Sequence, residues 1–509
     1  MSRGPSEDLH ALIHALTQAE KRYVKIELRK HVVGDVNQSE LLFDALAGQD
    51  QIDEASIKKR FAKYGFAKRL PEAKRELMLV ILRAMRQFNA ERSPARRAVS
   101  ALQDGDFLRL RSQFRWAERR LNEALEEATL IHNHALRVMV LQSMSQLGRS
   151  TESMPEPSSS PIDDPIVQEA MLLVETAYYD AIADRLTAVI RRYGRGGGPV
   201  AKALASDLVK HGEARFPIIT PSAQNTWLRF LSAKAFFIDN DPETSLRYDR
   251  SRLDTIERDE KFRSANVHEW VNLVHSVALR LVVLRDFAAA RPLRDKLHHH
   301  WQEGSRQLSP ANRMAVASQY LNIEIQLALQ SDDLEDLEHR IPLLDKILAD
   351  HERESYTEVG IAILFNMALI EMGLGKFREA LRRLARTDEY PESIRDDIQA
   401  ASRLLRILLH IDLENESVVT SLVRAERRRL KGKPIAPDVD VLLSVASRYF
   451  TTTPGKSRAK LLREGLEKVE AHYATPPSEA LTAIFEFRVW LKATLNKSTW
   501  RTELRKLSS

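Results

Sequence analysis

The chain contains no cysteine, so disulfides and thiolate metal ligands are excluded and a reducing compartment is permitted. Glycine (18) and proline (20) are scarce across 509 residues, which leaves long stretches without helix breakers. No run of apolar residues is long enough to span a bilayer, so no membrane partner is expected. The opening, MSRGPSEDLHALIHAL, lacks a continuous apolar segment of signal-peptide type because His10 and His14 interrupt it. The expected location is cytoplasmic. Apolar residues almost never alternate with period 2, whereas spacing near 3.6 recurs throughout. The expected class is all-α.

Hydrophobic residues at 43% and charged residues at 29% suit a folded chain, and its length exceeds what one core can organise. Two or more domains, or an elongated repeat array, are therefore expected. The net charge of +6 is unevenly placed: residues 1–120 hold 24 Lys and Arg against 16 Asp and Glu, and the remainder is close to balanced. A basic opening quarter suits either solvated helix faces or an anionic partner.

Residues 364–384, LFNMALIEMGLGKFREALRRL, read as helix, tight turn, helix. Leu364, Met367, Ala368 and Ile370 give the first helix a buried face. Gly373 and Gly375 end it, since glycine adopts the left-handed conformation of a helix terminus at little cost. Phe377, Ala380, Leu381 and Leu384 supply the buried face of the second helix, and Ala368 and Ala380 permit close approach. The pattern resembles a tetratricopeptide repeat (TPR), with Pro391 near the expected closing proline. Leu364 and Glu371 depart from the Trp and the aromatic residue usual in that repeat. One hairpin cannot bury its own face, so the resemblance implies a solenoid and further copies. Phe114 with Ala117 and Phe287 with Ala290 repeat the register of Phe377 with Ala380. These residues and Ala368 are the expected repeat-packing positions. Trp301, Tyr320, Tyr356, Tyr449 and Trp490 are expected at hairpin interfaces.

Ahead of the array, Thr17 and Glu20 have the spacing of a capping box. Asp53 is placed to cap a helix carrying Lys58, Lys59, Arg60 and Lys63, and Pro71 suits the first turn of a longer one. Residues 16–25, 42–46 and 57–61 resemble the opening of an uncharacterised bacterial TPR-like family that begins with LTxxEKRYxK, which implies no particular chemistry. A small basic helical domain is expected over residues 1–92, and a TPR-like α-α superhelix over 93–509. Residues 148–165, rich in Ser, Pro and acids, read as a flexible loop within the array.

Several motifs fail on spacing. TPGKS at 453–457 ends like a phosphate-binding loop, but Phe450 stands where its first glycine is required and no strand precedes it. Residues 194–199 are glycine-rich without dinucleotide-binding spacing. His298, His299 and His300 point about 100° apart on a helix and cannot share one ion, and His10 with His14 lacks a third ligand. No nucleophile–base pair stands out, so no catalytic, cofactor or metal residue is assigned. The basic run at 424–433 reads as a helix C-terminus or an anionic patch. The expected function is a non-enzymatic scaffold or adaptor that binds a peptide or protein segment on the concave face of the repeats. The alternative is a nucleic-acid-associated regulator in which Lys21, Arg22, Lys25, Lys58, Lys59 and Lys63 contact phosphates while the repeats sense a partner.

Overall fold

The computed structural model describes residues 8–16, 18–30, 37–49, 52–90, 93–151, 160–193, 198–214, 218, 220–304, 310–331, 334–352, 358–390, 396–432, 437–473 and 487–508. Twenty-six α-helices, and no strand, occur among these residues. Contacts divide the chain into two compact units, Met1–Met171 and, for the most part, Leu172–Glu352 with Tyr356–Ser509.

Local chemistry sets many of the helix starts. Asn37, Asp53, Ser93, Thr220, Asp241 and Asp259 each accept a hydrogen bond from the backbone N–H three residues on. Pro71, Pro94, Pro221 and Pro242 stand in first turns, where a missing N–H costs nothing. The expected capping residue Thr17 and hairpin residue Tyr356 lie outside the described residues, as do 152–159 of the Ser/Pro segment.

The first unit has two cores. Helices α1 (Asp8–Ala15), α2 (Gln18–Arg29), α3 (Gln38–Ala47), α4 (Glu54–Arg60), α5 (Gly65–Lys68) and α6 (Leu70–Asn89) close around Ile13, Val24, Phe43, Leu46 and Ile81. Helices α7 (Pro94–Leu110), α8 (Phe114–Leu130) and α9 (His134–Thr151) form a three-helix stack around Leu102, Leu121, Val140 and Leu147. The domain boundary expected after residue 92 falls between these cores, and the contact-based division lies further on, within α10 (Pro165–Tyr193). At Gly105 an added Cβ would sit 2.7 Å from Leu121 Cδ2, so glycine is what lets α7 and α8 close.

The second unit begins with α10, α11 (Gly198–Ala214) and α12 (Pro221–Ala233) around Tyr179, Ile182, Leu186 and Phe230. A π-turn (Lys234–Ile238), α13 (Pro242–Arg258) and α14 (Glu260–Ala265) lead into five sequential hairpins. Their first helices are α15 (Val267–Val283), α17 (Pro310–Ser331), α19 (Glu358–Gly373), α21 (Asp396–Asp412) and α23 (Pro437–Tyr449). Their second helices are α16 (Phe287–Gly304), α18 (Leu334–Glu352), α20 (Phe377–Arg386), α22 (Glu416–Arg429) and α24 (Lys456–Tyr473). Each first helix packs on its own second helix, on the second helix before it and on the next first helix, as in a helical array. The last pair differs. Helix α25 (Phe487–Asn496) packs on α24, and α26 (Trp500–Ser508) packs on α25 and returns to α19.

Six turns share one geometry. Ser112, His132, Arg285, Gly375, Glu414 and Lys497 have positive φ of 50 to 74°. The N–H of the following residue reaches back five positions to a carbonyl at 2.7 to 3.0 Å. This is the Schellman termination, in which a left-handed residue lets the chain reverse while satisfying the last carbonyls. Five of the six use a side chain other than glycine.

Candidate interaction surfaces

The three repeat-register phenylalanines each open a second helix: Phe114 begins α8, Phe287 begins α16 and Phe377 begins α20. Each ring is partly buried against its local core. Ala117, Ala290, Ala368 and Ala380 are fully buried. Tyr320 and Trp490 are buried in the main core of the second unit, with Trp301 and Tyr449 packed against it.

Glu371, which departs from the TPR pattern, is buried on α19 and meets Arg383 on α20. Arg383 Nε donates to both carboxylate oxygens at 3.0 Å, and its Nη1 donates to Asp345 on α18 at 2.6 Å. Burial works against the guanidinium charge, but the hydrogen bonds it donates to Glu371 and Asp345 hold its pKa above the ordinary arginine value. The preceding hairpin repeats the arrangement with Glu324 on α17. It pairs with Arg340 on α18 at 2.5 Å and with Arg294 on α16 at 3.3 Å. In the next hairpin the signs are exchanged, Arg403 on α21 meeting Glu426 on α22 at 3.1 Å. A buried pair contributes little net energy, whereas removing one partner leaves an uncompensated buried charge and is costly.

The first-helix side of the array differs between the first two hairpins and the third. On α15, His268 is exposed and Asn272, His275, Ser276 and Leu279 are partly buried, one stripe at helical spacing. Gln319, Asn322, Gln326 and Leu329 form the matching stripe on α17. Gln319 Nε2 donates to Asn272 Oδ1 at 2.8 Å, and the Asn272 amide lies 2.8 Å from His268 Nδ1. Asn322 hydrogen-bonds His275. The His275 Nε2 atom is buried without a partner, and burial pushes this imidazole down to about 4. These polar residues were not singled out from the sequence. Their signal was Asn or Gln at three- and four-residue spacing inside otherwise apolar helices.

Further along, α19 is apolar nearly all round, and from Ile361 to Met372 only Ala362 and Asn366 are less than fully buried. Helix α26 lies against it, and Trp500 packs on the same core. The Trp490 indole on α25 donates to both oxygens of Asp412 at 3.0 and 3.1 Å. Glu503 is buried on α26, and Lys506 followed by Ser498 holds its carboxyl down at about 2. The chain's own C-terminal helix thus occupies the first-helix side at α19.

In the first unit, Lys58, Lys59 and Lys63 are exposed on and just after α4, while Arg22 is exposed and Lys21 partly buried on α2. Lys25 is held by Asp44 at 2.6 Å, and the Lys63 ammonium lies 5.0 Å from the Tyr64 ring centroid. Helix α4 ends at Arg60, one turn shorter than its sequence suggests, because Phe61 turns into the core. The His10 and His14 rings lie 4.2 Å apart, tilted by 38°, and their Nε2 atoms meet the carbonyls of Gln49 and Leu46. His298 stacks on Tyr320 at 4.8 Å and His300 meets the edge of Trp270, so these two serve aromatic packing. Gly455 in the TPGKS stretch has φ of 91° and leads into α24 at Lys456. The basic run near 424 supplies Arg427, Arg428 and Arg429 to the last turn of α22, where cations favour the helix dipole. No helix among the described residues is long and apolar enough to cross a membrane. No protein-family model and no curated protein matches this chain.

Proposed function

We propose that the chain is a cytoplasmic, non-enzymatic scaffold whose TPR-like repeats capture a peptide or protein segment along α15 and α17. The observation that carries this reading is the open amide stripe of Asn272, Gln319, Asn322 and Gln326, set on two neighbouring first helices. A carboxamide offers one donor side and one acceptor, the complement of a peptide N–H and C=O, so such a stripe can hold an extended backbone without demanding a charged ligand. Because α26 already lies against α19, the binding stretch is confined to the earlier hairpins.

The absence of cysteine provides the test. Asn272→Cys, labelled with a photo-crosslinking maleimide, is irradiated in lysate of the source cells with and without nuclease. The expected result is one crosslinked protein that survives nuclease and moderate salt, and that is lost when Gln319 and Asn322 are changed to Leu. Crosslinking that disappears with nuclease, or none at all from this position, defeats the reading. The exposed cations on α2 and α4 support the alternative of nucleic-acid association. For that alternative the affinity must fall steeply with salt, and must weaken when Lys58 and Lys59 are changed to Gln.

A further inference from the structure

A cleft lies along the exposed face of α13 in the second unit. The helix buries Leu246, Asp249, Arg252, Leu253 and Ile256, and it packs on α12 and α15. Arg252 fixes its rotation: Nε donates to Asn225 Oδ1 on α12 at 2.8 Å, and Nη2 lies 3.6 Å from Glu269 on α15. The opposite positions at three- and four-residue spacing, Arg247, Arg250, Ser251, Asp254, Thr255 and Arg258, are all exposed. These six side chains line one cleft of about 350 Å³.

That volume suits a small molecule, yet no apolar residue forms the walls. Three guanidiniums stand against the single carboxylate of Asp254, so the cleft is positive. Arg250 and Arg258 make no hydrogen bond or ion pair among the described residues, although Asp254 stands four residues from each. Arg247 Nη2 donates to Thr244 Oγ1 at 2.9 Å, which steadies the guanidinium and leaves its other donors available. Thr255 Oγ1 donates to the Ser251 carbonyl at 2.9 Å. The Ser251 hydroxyl has no partner among the described residues and is ready to donate. Nearby acids are engaged elsewhere, Glu257 by Lys296 and Trp270 and Glu260 by Arg263.

We propose that this cleft binds the phosphate chain of a small oligophosphate anion, a role beyond peptide capture on α15 and α17. Arg247, Arg250 and Arg258 pair with phosphate oxygens, and the Ser251 hydroxyl donates to the chain between them. The three arginines span roughly 16 Å of helix axis, so charge spread over several phosphates matches them better than one phosphate does. The walls offer no aromatic ring on which a base could stack and no apolar pocket for a peptide anchor. A small polar anion therefore fits better than RNA or an acidic peptide. Asp254 repels such a ligand, so neutralising it strengthens binding.

The test is calorimetric titration of the full chain with inorganic triphosphate, ATP, citrate and sulfate at one ionic strength. One saturable site for triphosphate is expected. Its affinity falls at least tenfold with Arg250→Gln/Arg258→Gln and rises several-fold with Asp254→Asn. These positions are exposed, and circular dichroism checks that both variants fold. Tighter binding of ATP than of triphosphate makes a nucleotide the source of the chain, and equal or weaker binding makes it a free oligophosphate. Three results overturn the proposal: no saturable binding at about 1 mM triphosphate, citrate or sulfate binding as tightly, or an affinity that the double arginine variant leaves unchanged. A 20-nucleotide RNA that binds through Arg250 and Arg258 where triphosphate does not overturns it in favour of nucleic acid.

Discussion

Helices α15 and α19 hold equivalent places in the first and third hairpins of one array, yet they solve different problems. Helix α15 buries one side and leaves His268, Asn272 and Ser276 toward solvent, whereas α19 is enclosed by α17, α18, α20, α21 and α26. A helix with an apolar surface all round must be covered all round, and here the chain's own C-terminus supplies part of the cover. The comparison teaches that the third hairpin is enclosed where the first leaves polar side chains toward solvent. The enclosed residues and the partly exposed polar residues should therefore respond to mutation very differently.

The largest contrast is expected from the ion triad. Arg383→Ala leaves Glu371 buried and unpaired and is expected to cost about 3–5 kcal/mol in denaturant unfolding. Asn272→Ala, on the open stripe, should cost below about 1 kcal/mol. Replacing Glu371 and Arg383 together by leucine should recover most of the loss, since a well-packed apolar pair substitutes for a buried ion pair. Similar costs for the arginine and the asparagine would erase the distinction between the third hairpin and the first.

Trp490→Ala removes a buried indole and its two hydrogen bonds to Asp412, for about 3–4 kcal/mol. The effect should be local. Hydrogen exchange should quicken in α25, α26 and α19 while α15 and α17 keep their protection. Uniform deprotection of the array would mean that the C-terminal pair is integral to every hairpin rather than a cover over α19.

In the first hairpin the sensitivity is to acid. His275 sits at about 4 in the folded chain, below its ordinary 6.5, because burial disfavours the imidazolium and Arg280 adds to this. Between these values the unfolded chain binds a proton that the folded chain does not. Stability is therefore complete well above pH 6.5 and falls as pH drops toward 4, by on the order of 3 kcal/mol. Urea midpoints at pH 7.5 and 5.0 should converge in His275→Gln relative to the parent. An unchanged pH slope in that variant would assign the acid sensitivity elsewhere.

Much of the architecture was legible because helix periodicity and capping are local. The α19–α20 hairpin, the Phe-x-x-Ala openings of α8, α16 and α20, and the Asp53 and Pro71 helix starts could be read from neighbours a few residues apart. What escaped depended on distance. Glu371 looked like a defect until Arg383 and Asp345 arrived from two other helices. Asn272 and Gln319 are 47 residues apart, and nothing local marks them as neighbours.

The hairpins themselves were under-read for a physical reason that can be measured. Glycine marked a single hairpin turn, yet Arg285, Glu414 and Ser112 adopt the same left-handed conformation without it. A side chain in that conformation costs on the order of 1 kcal/mol, so these turns are held by the helices they join rather than by their own preference. Gly375 has no heavy atom within 4 Å of an added Cβ, so Gly375→Ala should lose about 1 kcal/mol through backbone strain alone. Arg285→Gly and Glu414→Gly should each gain about 0.5 kcal/mol, the relief of strain being partly offset by the greater freedom of glycine in the unfolded chain. Opposite signs at equivalent turns, read as shifts in thermal midpoint, would show that one termination geometry recurs along the array. A loss at Arg285 would instead mean that its side chain, 5.8 Å from the Phe287 ring centroid, contributes more to the turn than its strained backbone removes.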